Sequence, residues 1–408
     1  MSTQDDRHSD DCYCHYLPNL ILVRPDDRNA AVEALRGEWV EPDRGELCQI
    51  LEGADHRSNA DVVASIGVLR AAGDRPDDEL NPHEAAGQLE ETGIHASPVH
   101  GVGYAGHGGF QGSQWTPANI MLKPPRACGD EGIIAVVDSG VSTELTPWMD
   151  DPNVIFERPI DSERPTFHDP VSHGTFVVSL LRRMAPELVI SMASARPDPG
   201  YMRSSEPYDP PAHRLKSPPT DELNVLGAVL RLIRRHRDEP KAMKVLNLAL
   251  GGHECAHTSA FYLGLEAACR AWWKAFPKAA IVAAGGNSTC PAPMYPAAFE
   301  NVKAVAAARE GQARKGESPL GEMKVWYNGT EVGAPHRDWI TDAAPGCDII
   351  GLSGQDEDHT IKWSGSSFAT AVVSSLIASG GYSPVSDDGI AWSPDRAVTY
   401  GDVGGLVP

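Results

Sequence analysis

The chain has 408 residues, with 35 Lys+Arg against 56 Asp+Glu and a formal net charge of −21. A hydrophobic fraction of 41% with 22% charged residues is that of a globular chain, which excludes general disorder and leaves room for one large domain beside a smaller one. The acidic excess argues against a nucleic-acid backbone or an anionic membrane as partner, and no apolar run approaches the roughly 18 residues that cross a bilayer.

Residues 1–16 read as a flexible acidic tail without the basic start and apolar stretch of a secretory signal, so a cytoplasmic protein is expected. The eight cysteines are scattered at 12, 14, 48, 128, 255, 269, 290 and 347, a pattern of free thiols and not of a disulfide framework. Cys12 and Cys14, with His8 and His15 nearby, make at most half of a zinc site.

Asn19–Arg24 (NLILVR) predicts a strand, and Asn59–Ala72 carries helical apolar spacing. Asn81-Pro82 opens a helix with Pro at its first position, Gly93 stops it, and Ile94–Val102 runs extended. Together, residues 17–104 form a small α+β unit. Residues 105–128 are a Gly/Pro-rich linker or an extended covering segment.

Beyond it the pattern changes. Strands are predicted at Ile133–Val137, Leu188–Ala193, Lys244–Leu250, Ala279–Ala284 and Val302–Ala307, and helices at Thr175–Met184, Leu223–Arg237, Ser259–Phe276 and Ser367–Ala378. Such alternation implies an α/β fold, a doubly wound parallel sheet with helices on both faces. Residues 197–220, with seven of the chain's 33 prolines, form a surface loop, either an insertion or a lid. Residues 384–408 form an irregular C-terminal tail.

Three segments carry chemistry. IIAVVDSGV delivers Asp138 at the C-terminal end of a buried strand, where ligands bind in parallel sheets; SHGTF sets His173 at a helix start; WSGSSFAT opens a helix on Ser367. Singly these are a turn aspartate, a capping histidine and an N-cap serine. In the order Asp, His, Ser they match one of the known orders of an acyl-transfer triad.

On these segments the chain resembles the subtilisin-like serine proteases of the subtilase family. DSG around Asp138, HGT around His173 and GSSFAT around Ser367 are similar to its catalytic segments, and VAAGGN supplies Asn287 where the family places its oxyanion-hole amide. VLNLALGG (245–252) resembles the strand that pairs with substrate backbone, and the segments YPAAFENVKAVAA from Tyr295 and DAAPGCDI from Asp342 match further. The resemblance covers a catalytic domain at residues 129–383.

It implies a serine endopeptidase acting on polypeptides, with Ala249, Leu250 and Gly251 on one wall of the cleft and Ala284, Gly285 and Gly286 on the other. No cofactor is required for that chemistry. Family members often bind calcium, but no ligand loop aligns here, so a structural calcium is left open. Ser366 and Ala371 stand where the family usually has Thr and Pro.

The N-terminal unit weakly resembles subtilase propeptides, whose last strand leads into the cleft. Ile94–Val102 would then lie near the catalytic face, and the unit would assist folding or restrain activity. A covering domain, or a docking module for a dedicated protein partner, is the alternative. Two competing functions stay open: a catalytically silent peptide-binding module, and a zinc peptidase using His253-Glu254-x-x-His257, a match to H-E-x-x-H whose flanking glycines favour a loop.

Overall fold

The computed structural model describes residues 16–35, 38–43, 62, 64–72, 81–104, 131–141, 151–156, 170–195, 220–253, 262–287, 292–308, 324–327, 330–333, 339–347, 349–352 and 360–380. The acidic tail before Tyr16, the linker, the 197–219 stretch, Glu254–His257 and the C-terminal tail lie outside them.

Residues up to 104 supply β1 (Tyr16–Val23), α1 (Arg28–Ala34), β2 (Trp39–Val40), β3 (Gly67–Ala71), α2 (Pro82–Glu91) and β4 (Ala96–Tyr104). The continuous run Leu20-Ile21-Leu22-Val23 reflects a strand buried on both faces. Ile21 and Val23 join Leu69, Trp39 and Leu89 in a core beneath the helices, whereas Leu20 and Leu22 join a larger core with the rest of the molecule. Asn81 caps α2 by accepting the His83 N–H at 2.9 Å, and Gly93 follows it at φ +84°, a left-handed stop that glycine adopts without cost.

The helical reading of 59–72 is corrected. Val62, Ser65 and their neighbour Ala64 are helical, but Gly67–Ala71 is a strand paired antiparallel with β1. Val68 faces the large core and Leu69 the small one, so pairing and two-sided burial overrode the local spacing.

The remainder contains β5 (Ile133–Asp138), β6 (Val154–Phe156), α3 (Pro170–Met184), β7 (Val189–Ser194), β8 (Thr220–Asp221), α4 (Glu222–His236), β9 (Met243–Leu248), β10 (Leu250–His253), α5 (Leu263–Ala275), β11 (Ala280–Ala284), β12 (Met294–Tyr295), β13 (Val302–Ala308), β14 (Lys324–Tyr327), β15 (Thr330–Gly333), β16 (Asp342–Pro345), β17 (Ile349–Leu352), β18 (Thr360–Trp363) and α6 (Ser366–Ala378). A nine-stranded sheet runs β15-β14-β13-β11-β9-β5-β7-β6, with β16 also on β13; from β13 to β6 every pairing is parallel. Alternation along β5 divides the interior. Ala135 and Val137 face the core that holds α4 and α5, while Ile134 and Val136 face the core of α3 and α6.

The chain starts this sheet at β5, adds β7 and β6 on one side, then returns to add β9, β11 and β13 on the other. The crevice at the C-terminal ends of β5 and β9 is therefore the topological switch point, where open α/β sheets bind ligands. A second sheet, seven-stranded, runs β12-β10-β4-β1-β3-β2, with β8 also paired to β4. The N-terminal strands thus continue directly onto that crevice.

Phe176 of α3 packs on Phe368 of α6 and on Trp363, with ring centroids 4.3 and 5.4 Å apart. This buried contact joins the two helices that carry His173 and Ser367. Truncation in Phe176→Ala is expected to lower unfolding stability by about 3–5 kcal/mol, read as a lower urea midpoint at unchanged slope.

Candidate active site

Asp138 ends β5 fully buried, and its Oδ1 lies 2.8 Å from His173 Nδ1 in the first turn of α3. The neighbouring Ser139 secures both partners. Its N–H donates to Asp138 Oδ1 at 2.7 Å, and its Oγ accepts the Gly174 N–H at 3.0 Å. Any side chain at 174 would run into the Gly140 carbonyl, so glycine there is what lets α3 approach the strand. Trp363 meets the His173 ring edge-on at 5.7 Å and Phe368 lies 5.8 Å away, walling the imidazole with aromatic surface.

Ser367 is the second residue of α6, and its Oγ donates to the Ala249 carbonyl at 3.0 Å. That carbonyl sits between β9 and β10, at the switch point. The tight entry to α6 needs Gly346: a Cβ there would lie 2.8 Å from the Gly365 carbonyl and 3.0 Å from the Ala369 Cβ. In DAAPGCDI the only local sign of this role is an isolated Gly next to a strand, a signal of close backbone approach.

Asn287 follows β11, and its side-chain oxygen accepts the Ser366 N–H at 2.7 Å, which orients the amide beside Ser367. Gly286 holds φ +98°, a glycine conformation, and donates its N–H to Ser366 Oγ at 3.2 Å. Gly285 donates to the Val305 carbonyl at 2.8 Å. The hydroxyl at 366, where the resemblance expected Thr, therefore ties the Asn287 loop to α6. Leu250 and Gly251 lie in β10; Ala284 closes β11. Asp138, Ala249, Ala284, Gly285, Gly286 and Asn287 thus lie at the C-terminal ends of β5, β9 and β11, Leu250 and Gly251 on the adjoining β10, and His173 and Ser367 in the first turns of α3 and α6.

His253 ends strand β10, with Nδ1 3.2 Å from the Ala292 carbonyl. A strand is not the helical setting that H-E-x-x-H requires, and among the described residues there is no cluster of three or more candidate metal ligands. No helix among them is long and apolar enough to cross a membrane.

The sequence profile of the subtilase family matches residues 129–379. The chain belongs to the subtilase family. It is a serine protease of the subtilisin type, and comparison with curated proteins gives no match. Solved structures similar to this subtilase include the prenylagaramide maturation protease PagA (19% identity, 63% of this chain and 80% of that one, TM-score 0.39). Others are the self-cleaved protease domain of PatA (21%, 63% and 85%, TM-score 0.40) and a lanthipeptide protease (16%, 61% and 72%, TM-score 0.41).

Beside the site, β10 pairs with a strand from the N-terminal part of the chain. β4 lies antiparallel between β8 and β10, with Gly101 opposite Asp221, Val102 opposite Thr220, Gly103 opposite Gly251 and Tyr104 opposite Leu250. Asp221 also caps α4, its Oδ1 accepting the Asn224 N–H at 2.9 Å. Its carboxyl is pushed up to about 6, first by burial and further by the Glu222 charge, against its hydrogen bonds from Asn224.

Two outcomes follow. Ser366→Ala strands the Gly286 N–H and is expected to cost about 1–3 kcal/mol of stability, whereas Ser366→Thr stays near wild type; chemical denaturation reads both. Because the folded Asp221 holds its proton more tightly than an unfolded one, its contribution is present below about pH 4 and is lost as pH rises through 6. Stability relative to Asp221→Asn is expected to fall by about 2 kcal/mol between pH 4 and 7.5.

Proposed function

We propose that this subtilase is an endopeptidase working through Ser367, His173 and Asp138, held in check by its own strand β4. One observation carries the reading: an extended polypeptide, β4, already lies in register on β10, and Tyr104 faces Leu250, the residue after the carbonyl that Ser367 holds. β10 thus pairs with a peptide backbone beside a hydroxyl at a helix N-terminus and an Asp–His pair, which supports a peptide as substrate.

In the proposed reaction Ser367 Oγ leaves the Ala249 carbonyl and attacks the scissile carbonyl carbon. Its proton passes to His173 Nε2, while Asp138, bonded to Nδ1, fixes the tautomer and balances the imidazolium charge. The Asn287 amide and the Ser367 backbone N–H receive the oxyanion. The proton then goes to the departing amine, and water admitted to the same base hydrolyses the acyl-enzyme. No metal enters these steps. Ala249, Leu250 and Gly251 form one wall for the substrate strand, and Ala284, Gly285 and Gly286 the other.

Restraint is supported by how β4 is held. Val102 is fully buried and belongs, with Leu20, Leu22 and Val68 of the N-terminal strands, to the same core as Leu223, Leu226 and Leu250. A location inside the cell fits the buried free thiol of Cys269.

Fluorophosphonate labelling and cleavage of an unstructured polypeptide, each lost in Ser367→Ala and unaffected by chelator, are the expected results. Asp138→Asn should lower kcat by about 10⁴-fold. Chelator-sensitive cleavage that survives in Ser367→Ala would overturn the assignment, and absence of labelling and cleavage in every variant would favour a silent binding module. Val102→Asp, which puts a carboxylate into the apolar contact of β4, should raise peptide turnover by about tenfold or more; unchanged turnover would refute restraint and favour a covering or partner-docking role.

A further inference from the structure

The face of β4 that carries His100 meets a carboxylate which the catalytic chemistry does not use. Glu222 opens α4 and is fully buried. Its Oε2 accepts the Gly264 N–H at 2.7 Å from the first turn of α5, and its Oε1 accepts the His100 backbone N–H at 2.8 Å and lies 3.2 Å from His100 Nδ1. A Cβ at Gly264 would stand 2.9 Å from Glu222 Oε2, so glycine there makes the space for this carboxylate. Tyr262 covers the imidazole at a ring separation of 4.5 Å.

Burying a carboxylate is costly unless donors surround it. The Gly264 N–H and the backbone N–H of β4 would serve any sequence in the groove. The third donor is different, because it is the side chain of whatever residue occupies the place of His100. His100 Nε2, on the far side of the ring, is buried and has no hydrogen-bond partner among the described residues, so the polar contact of the imidazole with the protein is the one at Nδ1.

We propose that Glu222 is a specificity-determining residue: it selects polypeptide substrates with a cationic, hydrogen-bond-donating side chain three residues before the one that pairs with Gly251. This rests on the reading that β4 lies where substrate binds. A Lys, Arg or His there completes the carboxylate's shell. A Leu leaves one lone pair of a buried anion unmet, and an Asp or Glu sets like charges together. His100 is the chain's own occupant of that subsite. Its match to Glu222 is part of what seats β4.

The test uses the full chain and fluorogenic peptides identical except for Arg, Leu or Glu at that position. A competing β4 lowers kcat/KM for all of them by one common factor, so their ratios report the subsite alone. The expected preference is Arg over Leu by about tenfold and Leu over Glu by a similar factor, both collapsing to within about twofold in Glu222→Gln. Equal ratios in the wild type, or a preference that survives Glu222→Gln, would overturn the proposal.

If β4 suppresses peptide turnover altogether, the same contact is read on the tethered strand. Fluorophosphonate labelling of Ser367 should stay within about twofold of wild type in His100→Lys and rise about tenfold in His100→Glu; equal labelling of the two variants would refute selection by charge. Failure of restraint appears instead in Val102→Asp, whose turnover would not rise, and leaves the peptide ratios readable.

Discussion

Asp138 closes β5 at the place where the sheet reverses its direction of growth, and the parting of the chain there governs what the rest of the molecule can do. With β7 on one side and β9 on the other, the connections of the parallel strands part at the C-terminal edge between them. Groups from distant segments can converge on that edge without burying unpaired backbone. The Asp138 carboxylate, the Ala249 carbonyl and the loop bearing Asn287 come from strand ends in one sheet. His173 and Ser367 come from helices on one face of it, and that shared face explains why Phe176, Phe368 and Trp363 are packed between them.

Precision at the edge comes from small residues and shared hydrogen bonds. Gly174 and Gly346 allow backbone approaches that a methyl group would prevent. Ser139 and Ser366 act as paired connectors. Ser139 binds both the aspartate and the turn after the histidine, and Ser366 binds both the Asn287 side chain and the Gly286 amide. In each case the backbone N–H donates to one segment while the hydroxyl oxygen accepts from another, so a single small residue engages both. The replacement of Thr by Ser at 366 keeps that capacity, losing only a methyl group.

Strand β4 binds the two sheets into one structure. It pairs with β1 on the N-terminal side and with β8 and β10 on the catalytic side, while the large core runs without a break from Leu22 to Leu248. A strand attached to the same chain meets β10 at high effective concentration, so modest contacts suffice to hold it there. Its pairing with β10 also covers backbone groups that would otherwise present a free strand edge. The acidic excess is concentrated on this part of the molecule: 21 acidic and 10 basic residues fall within 1–128.

Much was legible in the amino-acid order alone. The alternation after residue 129, the capping of α2 by Asn81, its stop at Gly93, and the segments around Asp138, His173 and Ser367 are all local patterns, because helical and strand periodicity and turn chemistry act over a few residues. They determined the fold class and put forward the candidate site residues. Local spacing failed at Gly67–Ala71, where pairing with β1 and burial on both faces decided the conformation, and it gave no sign of the short strand at Thr220–Asp221, which exists only because β4 lies beside it. Gly346 and Ser366 acquire their roles from close approaches between segments. The contact of His100 with Glu222 spans 122 residues. A carboxylate first seen as one of many acidic residues becomes a buried acceptor only when α4, α5 and β4 meet, because its partners come from three separate elements and no periodicity in one segment encodes them.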